Sequence, residues 1–419
     1  MKNLDNKINL CVVGLGYVGL PLAVEFSKKY VVTGYDTSKT RIAELFNHID
    51  KTQEVDTNIL VKSNIAFAND SSCLNDQDVY IVTVPTPVDN DNLPNLQPLE
   101  MATHLIAQHI SEGAIVIYES TVYPGVTDNI CVPILERISN LKLNEDFHVG
   151  YSPERINPGD KQRPLTQITK LTSGSDEISA DFIDKLYQSI IDAPTYKCSS
   201  IKIAEAAKVM ENTQRDVNIA LMNELSNISH ALRIDTNEII DAANTKWNFI
   251  PFRPGLVGGH CIGVDPYYLQ YAAQQSNILS RIISAARIVN NEVPFKIIKQ
   301  LKEHILERDL RKSDTRILFL GETFKENCPD TRNSKVEMIV KALKEQNFNV
   351  SVHDPYTSTT SFELFLAKNE SCFDVVVLAV GHDTYISAGV RTIRSLCSEN
   401  GLFYDLKGYF SIDDSDYRL

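Results

Sequence analysis

Short, wholly apolar runs recur along the first part of the chain, and each has the length of a single strand. Residues 8–13 (INLCVV) form the first run, and residues 78–84, 113–119 and 147–151 form three others. A run that is apolar at every position, instead of at alternate positions, is typical of a strand buried on both faces of a parallel sheet. A helical pattern follows the first run, so the chain is predicted to begin as an open α/β sheet.

A second copy of this pattern lies near the C-terminus, after a charged segment at residues 307–315. The later elements are a strand at 316–321, a helix at 334–346, a strand at 349–354 and an apolar run at 373–383. Alternating strands and helices of these lengths predict a second doubly wound unit.

The period becomes helical between the two units. Residues 202–232 contain no glycine or proline, and their apolar positions recur mostly at spacings of three and four. We expect this stripe to be a core face of a long helix that joins two domains and carries a dimer interface. The stripe consists of Ile203, Ala207, Met210, Val217, Leu221, Leu225, Ile228 and Leu232.

Together these patterns predict an α/β fold with two doubly wound, Rossmann-like parallel-sheet domains joined by a long central helical region. The predicted boundaries are residues 1–198 for the first domain, 199–306 for the helical region and 307–419 for the last domain. A second helical stretch, residues 276–306, completes the middle region.

Composition excludes several classes of protein. The chain has 419 residues and a formal net charge of −13, which argues against a nucleic-acid or anionic-membrane surface. Its eight cysteines are scattered without CxxC pairs or metal-type spacing, so we expect no metal site and a reducing, cytoplasmic location. The N-terminus lacks a signal-peptide core, and the most apolar stretch is too short and too broken to span a membrane.

The turn after the first strand, GLGYVG, places Gly14, Gly16 and Gly19 in GxGxxG spacing. A second strand at residues 30–36 ends in Asp36, which lies 22 residues after Gly14 (36 − 14). Between a strand and a helix, this spacing is a dinucleotide-binding fingerprint, with the acid placed to accept from the ribose hydroxyls. Because Asp36 also repels a 2′-phosphate, NAD is favoured over NADP. The alternative is a tight turn without a ligand.

Polar residues follow the other predicted strands, at the edge where open parallel sheets bind ligands. PTP at 85–87 follows one strand, Ser120 and Thr121 follow the next, and Glu154 follows the one after. For Thr121 the alternative is a local hydrogen bond to the backbone. For Glu154 it is a salt bridge to Arg155 or Arg163.

Three further features carry candidate chemistry. Lys208 and Asn212 are four residues apart on the long helix, so they share a face and are suited to stabilise an oxyanion. The alternative pairs Lys208 with Glu205 or Glu211 on a solvated surface. In the last domain, TFKENCPDTR supplies Lys325 and Arg332 at the phosphate-loop position. Two cations there suit a phosphorylated ligand other than a dinucleotide, unless they are ordinary surface charge.

The stretch at residues 248–269, NFIPFRPGLVGGHCIGVDPYYL, is rich in glycine and proline and is predicted to be one irregular connection. It holds Cys261, with Asp265 four residues later. Gly258 and Gly259 keep this loop free of bulky side chains. A thiol near a carboxylate on such a loop is a candidate nucleophile for covalent catalysis. The alternative is a buried structural cysteine in a tight turn.

These motifs, in this order, resemble the UDP-glucose/GDP-mannose dehydrogenases over roughly residues 8 to 410. The resemblance rests on GLGYVGLP, TVPTP, STVYPG, SPERINPGD, EAAKVMENTQRDVNIALMNE, PGLVGGHCIGVDPYYL and FKENCPDTRNS. It implies an N-terminal NAD-binding domain, a central dimerising helix and a C-terminal sugar-nucleotide domain. The activity it implies is oxidation of the C6 alcohol of a nucleotide sugar to a carboxylate, with two NAD per turnover.

The resemblance also implies residue roles. Cys261 is implied as the nucleophile that forms a thiohemiacetal and then a thioester. The other implied catalytic residues are Lys208, Asn212, Asp265, Glu154 and Thr121. Implied cofactor contacts are Gly14, Gly16, Tyr17, Val18, Gly19, Asp36, Arg41, Pro85, Thr86, Ser120, Thr121 and Arg332. Implied substrate contacts are Glu154, Arg155, Lys208, Asn212, Arg253, Gly258 and Lys325, of which Arg253 is expected to come from a neighbouring subunit.

The segment after Glu154 departs from the glucose-type members. It reads Arg155-Ile156-Asn157-Pro158-Gly159 and lacks a second acid, so which group activates the hydrolytic water stays open. The segment resembles the branch of surface-polysaccharide synthesis that acts on UDP-N-acetylhexosamines, UDP-GlcNAc or UDP-GalNAc. UDP-N-acetylmannosamine and UDP-glucose are the alternative substrates.

Two other classes of protein compete with this hypothesis. A hydroxyacid dehydrogenase with a similar first domain performs one oxidation and has no need of Cys261. A non-catalytic NAD-binding scaffold has no reason to hold a Cys, Lys, Asn and Asp set. The number of NADH released per substrate separates these classes.

Overall fold

The computed structural model describes Leu4 and residues 7–156, 163–308 and 314–419. The chain divides into two compact units. The first comprises Met1–Glu211 and Tyr267–Ile278, and the second comprises Asn212–Pro266 and Leu279–Leu419.

The first unit is built on a six-stranded sheet whose order is β3-β2-β1-β4-β5-β6, with all neighbours parallel. Its strands are β1 Asn9–Val13, β2 Val31–Tyr35, β3 Ile65–Ala68, β4 Val79–Val82, β5 Ile115–Tyr118 and β6 His148–Tyr151. Its helices are α1 Gly19–Ser27, α2 Lys39–Phe46, α3 Thr57–Lys62, α4 Gln97–Ala107, α5 Val132–Ser139 and α6 Glu177–Gln188. A two-stranded parallel ribbon, β7 Lys170–Thr172 and β8 Thr195–Lys197, follows β6. This strand order reverses direction between β1 and β4, where doubly wound sheets bind their ligands.

Four helices follow β8: α7 Ile201–Leu232, α8 Thr236–Asn244, α9 Asp265–Gln275 and α10 Arg281–Glu307. The second unit also holds a four-stranded parallel sheet of order β10-β9-β11-β12. Its strands are β9 Arg316–Leu320, β10 Asn349–His353, β11 Phe373–Leu378 and β12 Cys397–Asp405. Its helices are α11 Lys335–Glu345, α12 Phe362–Asn369, α13 Asp383–Ala388 and α14 Val390–Arg394. The predicted fold class, with two parallel sheets and a long helical region between them in sequence, is confirmed.

The strands are buried as the apolar runs predicted. Every residue of β4, β5 and β6 is buried, and in β11 only Asp374 is partly exposed. Strand residues such as Leu10 and Ile81 pack with Leu20 and Phe26 of α1 in one core cluster. A separate cluster joins β9 and β11 to α10 and α11. Each sheet therefore has its own core.

The apolar stripe of α7 is not the core face that the sequence predicted. Five of its eight members are between 50% and 63% exposed, namely Ile203, Met210, Leu221, Ile228 and Leu232. The helix buries another face, which holds apolar residues such as Val209 and Met222 together with polar ones. Asp216 is fully buried, pairs with Arg287 of α10 at 2.5 Å and accepts from Asn290 at 2.7 Å. Burial raises the pKa of Asp216 even though Arg287 opposes the rise. Charge pairing thus helps to decide which face of α7 turns towards α10.

Candidate active site

The glycine turn after β1 has the shape that a dinucleotide requires. Gly14 has φ +98°, which favours glycine, and a Cβ on Gly19 would lie 1.8 Å from the carbonyl oxygen of Gly14. Gly16 is exposed, and a Cβ there would meet nothing within 4 Å. Tyr17 and Val18 are half-buried between them. Two glycines are thus needed by the fold itself, while Gly16 leaves backbone open to a ligand.

Asp36 comes directly after β2 and lies against this turn. Its carboxylate accepts hydrogen bonds from the backbone N–H groups of Leu15, at 2.9 Å, and Ser38, at 2.8 Å. Arg41 of α2 donates to the carbonyl of Leu15 at 2.8 Å and pairs with Asp50 at 2.8 Å. The carboxylate is therefore fixed beside the glycine turn but stays partly exposed, as a ribose-binding acid must be. These residues fit NAD.

The loops after β4 and β5 are tied together. Thr86 donates to the carbonyl of Thr121 at 2.6 Å, and Ser120 donates to the carbonyl of Val84 at 2.6 Å. Pro85 is exposed, whereas Ser120 is buried. These bonds place the predicted cofactor residues of two strands at one edge of the sheet. The hydroxyl of Thr121 takes no part in the bond to Thr86, because Thr121 accepts that bond through its backbone carbonyl.

Glu154 follows β6 and is buried. Its Oε1 accepts from the backbone N–H groups of Arg155, at 2.5 Å, and Ile156. Its Oε2 has no hydrogen-bond partner among the described residues and lies 3.7 Å from Nζ of Lys170. Arg155 pairs with Glu211 at 2.8 Å. Glu154 is thus a buried carboxylate. One of its oxygens is held by backbone N–H groups, and the other accepts no hydrogen bond from the described residues. The segment Asn157-Pro158-Gly159 lies outside the described residues.

Sequence reasoning missed the charges behind Glu154. Lys170 of β7 donates to Glu119 at 2.6 Å and to the carbonyl of Pro153 at 3.1 Å, and Tyr187 of α6 donates to the other oxygen of Glu119. Burial raises the pKa of Glu119 to about 7, although Lys170 works in the opposite direction. The available signal was an acid at the end of an otherwise apolar strand run.

Lys208 and Asn212 lie on one face of α7, and both are buried. The acids that were the alternative partners of Lys208 have partners of their own. Glu205 accepts from two backbone N–H groups in the loop after β5, and Glu211 pairs with Arg155. This favours the functional hypothesis for Lys208 over a solvated ion pair.

Asp265 links the cysteine loop to α7. It is buried, and its Oδ2 accepts from Nδ2 of Asn212 at 2.6 Å. The carbonyl of Cys261 accepts from the backbone N–H groups of Val264 at 3.0 Å and Asp265 at 2.8 Å. The prediction that residues 248–269 form one irregular connection is wrong at its end, because α9 begins at Asp265. Proline is well tolerated in a first helical turn, so Pro266 does not prevent this.

The loop before Cys261 is pressed against the segment that follows β9. A Cβ on Gly259, whose φ is +76°, would lie 2.7 Å from the ring of Phe324, and one on Gly258 would lie 2.8 Å from the carbonyl oxygen of Asn333. Asn333 also donates to the carbonyl of Gly259 at 2.9 Å. Both glycines are required by this approach. Cys261 itself is exposed, which contradicts the alternative of a buried structural cysteine.

Buried hydrogen bonds hold the segment after β9 in place. Asp354 accepts from the backbone N–H groups of Glu322 at 2.7 Å and Thr323 at 3.1 Å, and from His382 at 3.0 Å. The second ring nitrogen of His382 accepts from the N–H of Asn327 at 3.0 Å. These bonds fix the turn that carries the predicted phosphate-binding cations.

Those cations differ in their surroundings. Nζ of Lys325 lies 5.6 Å from the centre of the Phe324 ring. Arg332 is paired with Asp330 through a 2.8 Å contact, and Asp330 also pairs with His260 at 2.7 Å. Burial opposes the ionised form of Asp330, but Arg332 outweighs it and the pKa of Asp330 is lowered. Arg332 thus helps to hold the cysteine loop through Asp330 and His260.

Arg253 contacts residues of its own unit. It donates to Asn237 at 2.9 Å and pairs with Asp241 of α8. It lines a cavity of about 600 Å³ together with Lys407 and Arg418. Within the described residues, no helix is long and apolar enough to cross a membrane, and no three His, Cys, Asp or Glu side chains are grouped to hold a metal ion.

Three models of the UDP-glucose/GDP-mannose dehydrogenase family match the chain in order. The NAD binding domain matches residues 8–191, the central domain 202–292 and the UDP binding domain 318–412.

Characterised relatives extend along the whole chain. A UDP-N-acetyl-D-glucosamine 6-dehydrogenase of Pseudomonas aeruginosa is 50% identical, over 98% of this chain and 99% of the relative. A Salmonella typhi enzyme of the same name is 45% identical, over 99% of each chain. The solved UDP-D-ManNAc dehydrogenase of Pyrococcus horikoshii is 30% identical, with a TM-score of 0.89 over 98% of both chains. The chain belongs to the UDP-glucose/GDP-mannose dehydrogenase family of NAD-dependent nucleotide-sugar oxidoreductases.

Proposed function

We propose that this enzyme oxidises the C6 alcohol of a UDP-N-acetylhexosamine to the uronic acid, and that UDP-N-acetyl-D-glucosamine is the preferred substrate. The observation that carries the proposal is the 50% and 45% identity, over nearly the full length, to two enzymes with that activity in their names. Epimers differ only in the orientation of one hydroxyl or acetamido group. UDP-N-acetylgalactosamine and UDP-N-acetylmannosamine are therefore the substrates to compare first.

The residues around the glycine turn would hold NAD. The pyrophosphate would approach Gly16 at the N-terminus of α1, and Asp36 would accept from the adenosine ribose. Bound NAD supplies the oxidising equivalents for both oxidations. The same crevice would be lined by Pro85, Thr86 and Ser120. Arg41 would hold the glycine turn next to Asp36, because Arg41 donates to the carbonyl of Leu15 and Asp36 accepts from its N–H.

Cys261 would make the second oxidation possible. Its thiolate adds to the carbonyl carbon of the C6 aldehyde, which forms a C–S bond and leaves an alkoxide on oxygen. Loss of the C6 hydrogen with its electron pair turns this thiohemiacetal into a thioester. Water then attacks the thioester carbon, the C–S bond breaks, and the carboxylate and the thiol are released.

The buried polar residues fit the charges that develop in these steps. Lys208 and Asn212 would stabilise the alkoxide, since preorganised donors in a dry site act strongly on developing negative charge. Asp265 would assist proton transfer or order water, with its carboxylate held by Asn212. Glu154, with Oε2 left to act, is the best candidate to accept a proton from the hydrolytic water, and Thr121 is proposed beside that water.

The UDP group is proposed to bind the second unit. Lys325 and the backbone around Gly258 would contact the substrate, and Arg332 would contact the cofactor. Because Cys261 and the braced turn after β9 belong to one compact unit, the nucleotide would place the sugar relative to the thiol.

We also propose a homodimer built on α7 and a cytoplasmic location. Support for the dimer is the exposed apolar stripe of α7, which a partner subunit would bury. Arg253 is then available to contact a neighbour's substrate. Support for the location is that no disulfide joins any of the eight cysteines, each of which lies within the described residues.

The substrate proposal is tested with a panel of UDP-sugars, each assayed for NADH release and for product mass. We expect UDP-N-acetylglucosamine to give the highest kcat/KM and two NADH per acid formed. A higher kcat/KM for UDP-glucose would contradict the proposed substrate class, and one NADH per sugar would contradict the four-electron reaction.

NAD preference is predicted to depend on Asp36. The wild-type enzyme should use NADP poorly, because the carboxylate repels a 2′-phosphate. Asp36→Ala should raise the KM for NAD and reduce the discrimination between the two cofactors. Asp70→Ala removes an exposed carboxylate elsewhere in the same unit and should change neither quantity. Equal turnover of the wild type with NAD and NADP would refute the assignment.

The dimer is predicted to depend on Leu221, which is 58% exposed on α7. Leu221→Asp should convert the dimer to monomer in light scattering, because a buried unpaired charge opposes association. Leu364→Asp, at a leucine of α12 that is 57% exposed, is the matched control and should leave the dimer intact. A monomeric wild type at working concentration would defeat this prediction.

A further inference from the structure

A closed cluster of charges lies directly behind Glu154. Lys170 is 2% exposed and Glu119 is 1% exposed, so water does not screen their interaction. Nζ of Lys170 lies 2.6 Å from Glu119 and 3.7 Å from Oε2 of Glu154. The phenol of Tyr187 donates to the second oxygen of Glu119. One buried ammonium therefore bridges two buried carboxylates.

Burying such a cluster is costly in free energy. A protein with apolar residues of similar volume in place of a buried ion pair is often as stable or more stable. Fold stability alone does not explain its presence. The cluster adjoins Glu154, whose buried Oε2 has no hydrogen-bond partner among the described residues. A cation at 3.7 Å fixes that oxygen without using it as an acceptor at hydrogen-bond distance.

We propose that Lys170 and Glu119 are positioning residues that hold Glu154 in place as the base for thioester hydrolysis. This rests on the proposed role of Glu154. In the step concerned, a water oxygen bonds to the thioester carbon and one water proton passes to Glu154. The C–S bond then breaks, and the proton is returned to the Cys261 thiolate as the acid departs.

The charge of the cluster changes within the neutral range. Burial raises the pKa of Glu119 to about 7, with Glu154 adding to the rise and Lys170 opposing it. Below that pH, Glu119 is protonated and the negative charge of Glu154 is balanced by Lys170. Above it, the second carboxylate is ionised and shares Lys170, which weakens the hold of Lys170 on Oε2 of Glu154. The nearby cation Arg155 is already paired with Glu211, so it does not replace Lys170.

Three variants separate this role from a purely structural one. Glu119→Gln keeps the shape but removes the titrating group, so the rise in acid formation near neutral pH should vanish. Lys170→Met removes the cation that favours the ionised form of Glu119 and lies 3.7 Å from Oε2 of Glu154. The pH profile of acid formation should move to higher pH by about one unit or more, with the rate at neutral pH about tenfold lower.

Tyr187→Phe is the milder variant if Lys170→Met fails to fold. It removes one hydrogen bond to the ionised form of Glu119, so the profile should move in the same direction by a smaller amount. Lys197→Met removes a lysine of β8 that pairs with Asp181 on the surface, and it should leave the profile unchanged. Glu119→Gln and Lys170→Met should also accumulate the thioester on Cys261, visible as added mass in quenched intact protein.

The measurement is the rate of uronic acid formation against pH, with thermal melting as a check of folding and NADH release as a check of the first oxidation. If Glu154→Gln forms acid at the wild-type rate, the proposed role of Glu154 fails. If Glu154→Gln is impaired but Glu119→Gln and Tyr187→Phe keep the wild-type profile, the positioning role of the cluster is overturned while the proposed function stands.

Discussion

The buried hydrogen bond between Asn212 and Asp265 is the interaction on which the chemistry of the second unit depends. It holds the side chain of Asp265, the first residue of α9, and the backbone N–H of Asp265 donates to the carbonyl of Cys261. The cysteine loop has no helix or strand of its own to hold the thiol. Loss of the Asn212 amide would leave a buried carboxylate short of a donor, at a cost of about 1–3 kcal/mol, and would loosen the turn that positions Cys261.

Close packing places the cysteine loop against the turn after β9, which is the proposed site of the UDP group. Gly258 and Gly259 allow the cysteine loop to touch Phe324 and Asn333, and any side chain at either position would collide with them. The same turn is braced by Asp354 and His382. The thiol and the proposed UDP site are thus parts of one rigid arrangement, which suits an enzyme that must oxidise the same carbon twice without releasing it.

Local patterns in the sequence predicted the two parallel sheets, the glycine turn and the irregular loop that carries Cys261. Each of these features depends on residues close together in the chain. Helical period showed which apolar residues of α7 share a face, but not whether that face is buried. The answer depends on Arg287 and Asn290, which lie more than seventy residues further on. Lys170 and Glu119 were missed for the same reason, since 51 residues separate them.

The covalent role of Cys261 is the central claim, and the most direct test is acid formation by Cys261→Ala. The control is Cys372→Ala, at a half-buried cysteine of the second unit. Cys261→Ala should fold and bind NAD and UDP-sugar, but it should not oxidise the aldehyde further. Acid formation should fall by a factor on the order of a thousand or more, as expected for a nucleophile that acts together with its partners. If Cys261→Ala instead forms acid near the wild-type rate, with two NADH per sugar, the thioester route is wrong and the cysteine loop serves only to shape the site.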